Sequence, residues 1–361
     1  KRLSFTSWVV ILSIVTFILS LSGTFLVRSG ILNSVHTFAN DPERGIFILI
    51  FLFVLIFLSL IIFFVFHKEN NQKIVKIYWL SKETSILVNN WFLMYFLSVV
   101  LIGTVYPIFL EVLSSEKISV GPPFYHKLII PFLIPFLLFM SIGPNLNWIK
   151  SKIKKVRIEI IILFIISLLV SLLISRKIGS VNLINIVLIS AAFYLFFITV
   201  KDFFSKKFKN YPQKISHFGF SLLILSILLN SIFSSEVITN LKVGEKFSFK
   251  EESITFESIE NTESKNYRSI IGHFKIEDKQ KNSIQLKPEL RIYDQPFTIT
   301  SEADIKTTLY YDKFLVMNLV KGNEYFNVRY QFKPFMIWIW ISTLLLIIGG
   351  IFSLFKRTYE K

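Results

Sequence analysis

Long apolar stretches, each broken by a short polar and mostly basic interval, dominate the chain up to about residue 233 and return near its end. Eight of them approach the roughly 20 residues that a helix needs to cross a hydrocarbon core ~30 Å thick. They are Trp8–Val27, Ile46–Phe66, Ile86–Leu110, Leu128–Gly143, Val156–Ile174, Leu183–Val200, Ile215–Phe233 and Phe335–Leu354. The pattern predicts a polytopic α-helical membrane protein of about eight transmembrane helices. The fourth stretch is short and holds Pro131 and Pro135, which predicts a kink.

Between Ser234 and Lys333 the period changes: charged residues become common and apolar ones alternate. Phe247 with Phe249, Ile254 with Phe256, and Leu290 with Ile292 are period-2 pairs. The runs Phe314–Val320 and Tyr325–Phe332 read as strands bounded by Asp312-Lys313 and Gly322-Asn323. Short strands separated by turn signals predict a β-rich domain of sandwich or barrel type. Trp338 and Trp340 then mark re-entry through the headgroup region. The predicted organisation is a seven-helix transmembrane core over residues 1–233, an outer-side β-rich domain over 234–334, and a last helix with a basic tail over 335–361.

Charge sets the orientation. Lys1-Arg2, His67–Lys82, Lys150–Arg157, Lys201–Lys214 and Lys356–Lys361 are basic, whereas Arg28–Gly45, Glu111–Tyr125 and Ser175–Asn182 are nearly balanced. This alternation predicts both termini on the cytoplasmic or equivalent side and residues 234–334 on the periplasmic or intermembrane side. Because the basic residues sit in clusters between apolar runs, the net charge of +16 reads as topology and not as a nucleic-acid surface. The absence of cysteine excludes disulfides, thiolate catalysis and cysteine metal sites. The chain opens at Lys1-Arg2 without an initiator Met or a signal-peptide pattern, which reads as a fragment or as the second half of something larger.

Ionisable groups in or beside membrane spans are costly to hold there and are therefore candidates for function. His36 lies in the first outward loop, where a short interfacial helix would put Ile31, Val35 and Phe38 on one face and His36 on the other. Asp41, Pro42 and Glu43 form a helix start just after it. Arg28 and Arg44 flank the loop; lipid phosphate is their ordinary partner and a haem propionate the sharper alternative. His217 opens the seventh span, where an imidazole facing other helices needs a polar side chain, water or a metal. Capping the helix or snorkelling to the interface is the plainer role. Gly219 would let another helix or a planar cofactor approach. His67, His126 and His273 read as solvated or structural, with His126 closing an outer loop. Imidazole is a common axial ligand of haem, and two such residues near opposite membrane faces suggest haem without specifying it. No hydrolytic triad, Walker-type loop, GxGxxG or HExxH motif is present. A small-molecule transporter with an outer substrate-recognition domain and a non-catalytic assembly scaffold stay open.

Several segments resemble one family. Gly23-Thr-Phe-Leu-Val-Arg-Ser-Gly-Ile-Leu-Asn-Ser-Val-His36-Thr-Phe-Ala-Asn-Asp-Pro-Glu-Arg-Gly45, Leu101-Ile-Gly-Thr-Val-Tyr-Pro107 and Glu116-Lys-Ile-Ser-Val-Gly-Pro-Pro-Phe-Tyr125 are similar to the CcmF/NrfE family of cytochrome c haem lyases. Ser141-Ile-Gly-Pro-Asn-Leu146, Ser216-His-Phe-Gly219 and Tyr330-Gln-Phe-Lys-Pro-Phe-Met-Ile-Trp-Ile-Trp340 continue the likeness in the family's order. The resemblance implies that this is the C-terminal half, with the family's WWD motif and its first outward-loop and first transmembrane histidines on an upstream N-terminal half. It implies that His36 ligates the haem being delivered above the membrane, and that His217 is an axial ligand of a stable transmembrane haem b. The implied activity is that of a haem lyase of the holocytochrome c synthase type. It receives haem from a CcmE-type chaperone and, with a CcmH-type partner, joins it to the CxxCH motifs of apocytochrome c. Quinol is the implied source of an electron, and a bacterial or mitochondrial inner membrane the implied location. His36 would hold iron firmly enough to position the haem vinyl groups, then yield to the incoming CxxCH histidine.

Overall fold

A computed structural model of the chain describes residues 6–29, 42–66, 77–114, 118–151, 158–179, 182–205, 211–280, 282–295, 297–320 and 324–359. Among these, eight helices are long and apolar enough to cross a membrane. They are α1 (Thr6–Arg28), α2 (Pro42–Phe66), α3 (Lys82–Ser114), α4 (Pro122–Ile142), α5 (Ile158–Ile178), α6 (Leu183–Phe204), α7 (Tyr211–Phe233) and α8 (Met336–Tyr359). Ten strands lie between α7 and α8. The chain divides into two compact units, Lys1–Phe132 with Asn145–Lys152, and Leu133–Pro144 with Ile153–Lys361.

In the first unit, α1 meets α2 where a Cβ added at Gly45 would come within 2.8 Å of Ser29 Cα. Pro42 and Glu43 occupy the first turn of α2, as the local sequence predicts. The Ser81 hydroxyl accepts from the Thr84 amide at 3.1 Å, an N-cap that starts α3 earlier than the apolar run does. Tyr95 donates to the Leu128 carbonyl at 3.0 Å, tying α3 to the first half of α4.

Two sequence expectations change here. The fourth span is not short, because α4 begins at Pro122, and prolines in a first turn lack only an amide that has no helical partner. His126 consequently lies within the helix instead of closing a loop. His67 and the loop carrying His36 are outside the described residues.

In the second unit, α5 packs on α6 through Ser167, Ser171 and Ser175, spaced one turn apart and all buried. Small residues let helices approach closely where lipid supplies no hydrophobic drive, and the Ser171 hydroxyl donates to the Ile186 carbonyl at 2.6 Å. α6 is the most buried of the eight spans.

The strands form a β-sandwich. They are β1 (Ser235–Leu241), β2 (Lys246–Phe249), β3 (Glu252–Glu263), β4 (Arg268–Asp278), β5 (Ser283–Leu286), β6 (Glu289–Asp294), β7 (Phe297–Glu302), β8 (Asp304–Thr307), β9 (Tyr311–Leu319) and β10 (Phe326–Pro334). One sheet runs β1-β10-β9-β8, the other β2-β3-β4-β6-β7 with β5 beside β4. Alternate residues face inward, so Ile254, Phe256, Phe274, Ile276, Leu315, Met317, Val328 and Tyr330 make a closed core. The Phe256 and Phe274 rings stack with centroids 4.3 Å apart.

Asp312 and Lys313, expected to bound a strand, lie inside β9 and are buried. Lys313 can do so because its Nζ pairs with Glu252 at 2.7 Å, and Tyr330 donates to the other Glu252 oxygen at 2.6 Å. Burial, reinforced by that hydrogen bond, pushes the Tyr330 phenol well above its ordinary range and keeps it a donor. His273 sits in β4 beside Glu260 at 3.0 Å, a structural role. Gly322-Asn323 falls outside the described residues.

Candidate functional site

His217 lies in the second turn of α7, and the faces of that helix decide what surrounds it. On one side α7 meets α8 almost backbone to backbone. A Cβ at Gly219 would sit 3.1 Å from the Ser342 carbonyl oxygen and 3.1 Å from the Leu346 amide. One at Gly349 would sit 2.9 Å from the Ser216 amide nitrogen. Gly219 therefore admits a neighbouring helix. On another side, α7 packs against α6 through a 2.6 Å hydrogen bond between the Ser221 and Thr199 hydroxyls. The Phe218 ring lies 5.9 Å from Phe196 and 5.7 Å from Phe203.

Gln213, Lys214 and His217, at i, i+1 and i+4, lie on that same side of α7 as Ser221, away from Gly219. That side opens on a small cleft, partly open to solvent, whose other walls are Met140, Ser141 and Pro144, and Ile198, Thr199 and Asp202. The imidazole is half-buried there, among a thioether, hydroxyls, an amide, a carboxylate and an ammonium. Lys214 is only 9% exposed. Its Nζ donates to the carbonyls of Phe203 at 3.1 Å and Ser205 at 2.6 Å, satisfying acceptors left over at the negative end of α6.

Of the other sequence candidates, Arg28 ends α1 and Arg44 opens α2; both are exposed and adjoin the Ser29–Gly45 contact, so the fold brings them to one end of that helix pair. Residues 30–41, with His36, lie outside the described residues. Sequence reasoning missed Met140, Asp202, Gln213 and Lys214. Gln213 and Lys214 carried one readable signal, their i,i+4 and i,i+3 spacing to His217; Met140 and Asp202 reach the cleft through tertiary packing.

Residues 232–334 match the family described as the CcmF C-terminal beta-sandwich. Along its full length the chain is 32% identical to cytochrome c-type biogenesis protein CcmF of Pseudomonas fluorescens, covering 100% of this chain and 56% of the relative. Identity to CcmF of Escherichia coli (strain K12) is 30%, over 100% of this chain and 57% of the relative. A solved structure, cytochrome c heme lyase CcmF, has the same fold at a TM-score of 0.73, with 19% identity over 97% of this chain and 55% of that one. The molecule is thus an integral membrane protein that carries an inserted β-sandwich. Its sandwich matches the CcmF C-terminal family, the chain as a whole is similar to CcmF proteins, and it spans about half the length of the curated relatives it matches.

Proposed function

We propose that this chain is a haem-handling subunit of a cytochrome c haem lyase, acting in cytochrome c maturation with His217 as an axial ligand of a resident haem b. The observation that carries this reading is the His217 imidazole lining the cleft walled by α4, α6 and α7. The full-length similarity to cytochrome c-type biogenesis proteins supports it. The donors suit the group: an imidazole for iron, and a buried ammonium close by for a carboxylate. Haem supplies the redox change when bound. His217 holds and orients it, Lys214 contributes positive charge, and the tight α7–α8 contact fixes the direction in which His217 leaves its helix.

His36, by the same reading, ligates the haem delivered for attachment, with Arg28 and Arg44 holding its propionates. Residues 1–233 form the haem-handling core, 234–334 an outer-side domain and 335–361 the last span and its cytoplasmic tail. The site lies in a bacterial or mitochondrial inner membrane with both termini inside. Its partners are a CcmE-type chaperone, a CcmH-type subunit, apocytochrome c, quinol as reductant and an N-terminal half with the WWD motif.

The test is an absorption spectrum of the chain co-expressed with that N-terminal half. A bis-histidine b-type signal is expected, abolished by His217→Ala and largely kept by His36→Ala. An unchanged spectrum in His217→Ala would sink the ligand assignment. For His36 the readout is covalent cytochrome c formation in cells, and normal maturation in His36→Ala removes it from the mechanism.

A further inference from the structure

The foot of the sandwich is tied to its two flanking helices by three hydrogen bonds. Asn230, near the end of α7, donates from Nδ2 to the Pro334 carbonyl at 2.7 Å. The Phe335 amide, at the junction of β10 and α8, donates to the Tyr310 carbonyl at 2.9 Å. Trp338 Nε1, in the first turn of α8, donates to the Leu309 carbonyl at 2.9 Å. Phe335 itself has φ +61°, a left-handed conformation that an aromatic residue adopts only where its surroundings hold it.

The last two bonds end on the short turn between β8 and β9. The Thr308 amide and the Tyr311 carbonyl close that turn at 2.9 Å. At its tip the side chains of Leu309 and Tyr310 project away from the fold, 61% and 73% exposed. Two adjacent large apolar side chains at a hairpin tip are an aggregation hazard in water. Here their backbone carbonyls are bonded to the first residues of a membrane span, at the level of a tryptophan. An aromatic at that position in a span marks the headgroup region.

We propose that the β8–β9 turn is a membrane-seated foot of the sandwich, with Leu309 and Tyr310 inserted among lipid headgroups and the first acyl carbons. Leu309 supplies the apolar surface, and Tyr310 the ring and hydroxyl that suit a boundary apolar on one side and wet on the other. The bonds to Phe335 and Trp338 set the depth. The sandwich is therefore held to the bilayer at a third point besides the two helices, and its tilt about the α7–α8 axis is restricted. Lipid is the occupant because the turn is continuous, bond by bond, with a helix that lipid surrounds.

The chain has no cysteine, so a single introduced thiol can be labelled without background. Leu309→Cys and Tyr310→Cys, carrying a polarity-sensitive fluorophore, are compared with Val243→Cys. Val243 is 46% exposed in the turn after β1, at the end of that strand away from α7. The full-length protein is reconstituted in phosphatidylcholine–phosphatidylglycerol vesicles with or without nitroxide at a shallow acyl position. Labels at 309 and 310 are expected to be blue-shifted and to lose about half or more of their emission to the lipid nitroxide, as interfacial groups ~5–10 Å deep should. The label at 243 should respond to aqueous iodide alone. Labels at 309 and 310 that behave like the one at 243 would overturn the proposal. Shielding of both from lipid nitroxide and iodide together would also overturn it, by assigning the tip to a protein partner. Since both side chains are mostly exposed, their replacement removes little packing.

Discussion

The β-sandwich and the α7–α8 pair are neighbours in sequence yet are held together by opposite means. In the sandwich, large side chains fill the interior: Phe256, Phe274, Leu315 and Tyr330 are fully buried, and ion pairs cover the outside. Between α7 and α8 the contact is made at small residues, since Gly219 and Gly349 bring the backbones close and Ser342 is fully buried, while Leu344, Ile347 and Phe352 point outward. The difference follows from the solvent. Water drives large apolar groups inward, roughly 25 cal/mol per Å² removed from it. Lipid offers those groups the same environment outside as inside, so only close contact and hydrogen bonds favour association.

Removing bulk should therefore injure the sandwich, and adding bulk should injure the helix pair. The largest effect is expected from Phe274→Ala, about 3–5 kcal/mol of sandwich stability, read as early loss of protease resistance in residues 234–334 on heating. If Phe274→Ala were as mild as trimming Leu344, the contrast would fail. Lys313→Met should cost about 3 kcal/mol or more, because it leaves the Glu252 carboxylate enclosed without its cation; restoring the midpoint with a second change, Glu252→Gln, would sharpen that attribution. Gly219→Leu should weaken the α7–α8 contact by about 1–3 kcal/mol and alter any haem spectrum arising from His217, two residues away, while leaving the sandwich's own transition in place.

The smallest effect concerns Asp312, 5% exposed, with Oδ1 lacking a partner. Burial pushes its carboxyl above the ordinary value of 3.8, against a weaker opposing hydrogen bond from Thr307. A raised folded pKa means the group favours the fold below that ordinary value, and the contribution is lost as pH rises through the folded value. Asp312→Asn should accordingly raise the unfolding free energy at pH 7 by roughly 1 kcal/mol or less, read as a higher midpoint, and the gain should vanish in acid. A midpoint gain that persists unchanged at low pH would show that ionisation is not its source.

Much of this architecture was readable from periodicity alone. Runs such as Leu183–Val200 and pairs such as Ile254 with Phe256 report helix and strand because side-chain direction repeats every 3.6 or 2 residues. Boundaries were harder: a proline pair at Pro122-Pro123 looks like a break but starts α4, and Asp312-Lys313 looks like a turn but pairs inside the sandwich. The cleft was the least legible part. Lys214 closes a basic interval that reads as topology charge, whereas the fold buries it on the carbonyls that end α6. Its role depends on where a different helix stops, which no local pattern encodes. His217 could be singled out because an ionisable group in an apolar run is conspicuous by itself.

The insertion of the sandwich between α7 and α8 has a temporal consequence. Synthesis completes α7 at Phe233 and reaches α8 only at Met336, with ten strands between them. At ~5–20 residues per second, a delay on the order of 5–20 s separates the two helices at the ribosome. Throughout it, the Ser216–Gly219 side of α7 has lipid or the insertion machinery for company, and the hairpin closes last.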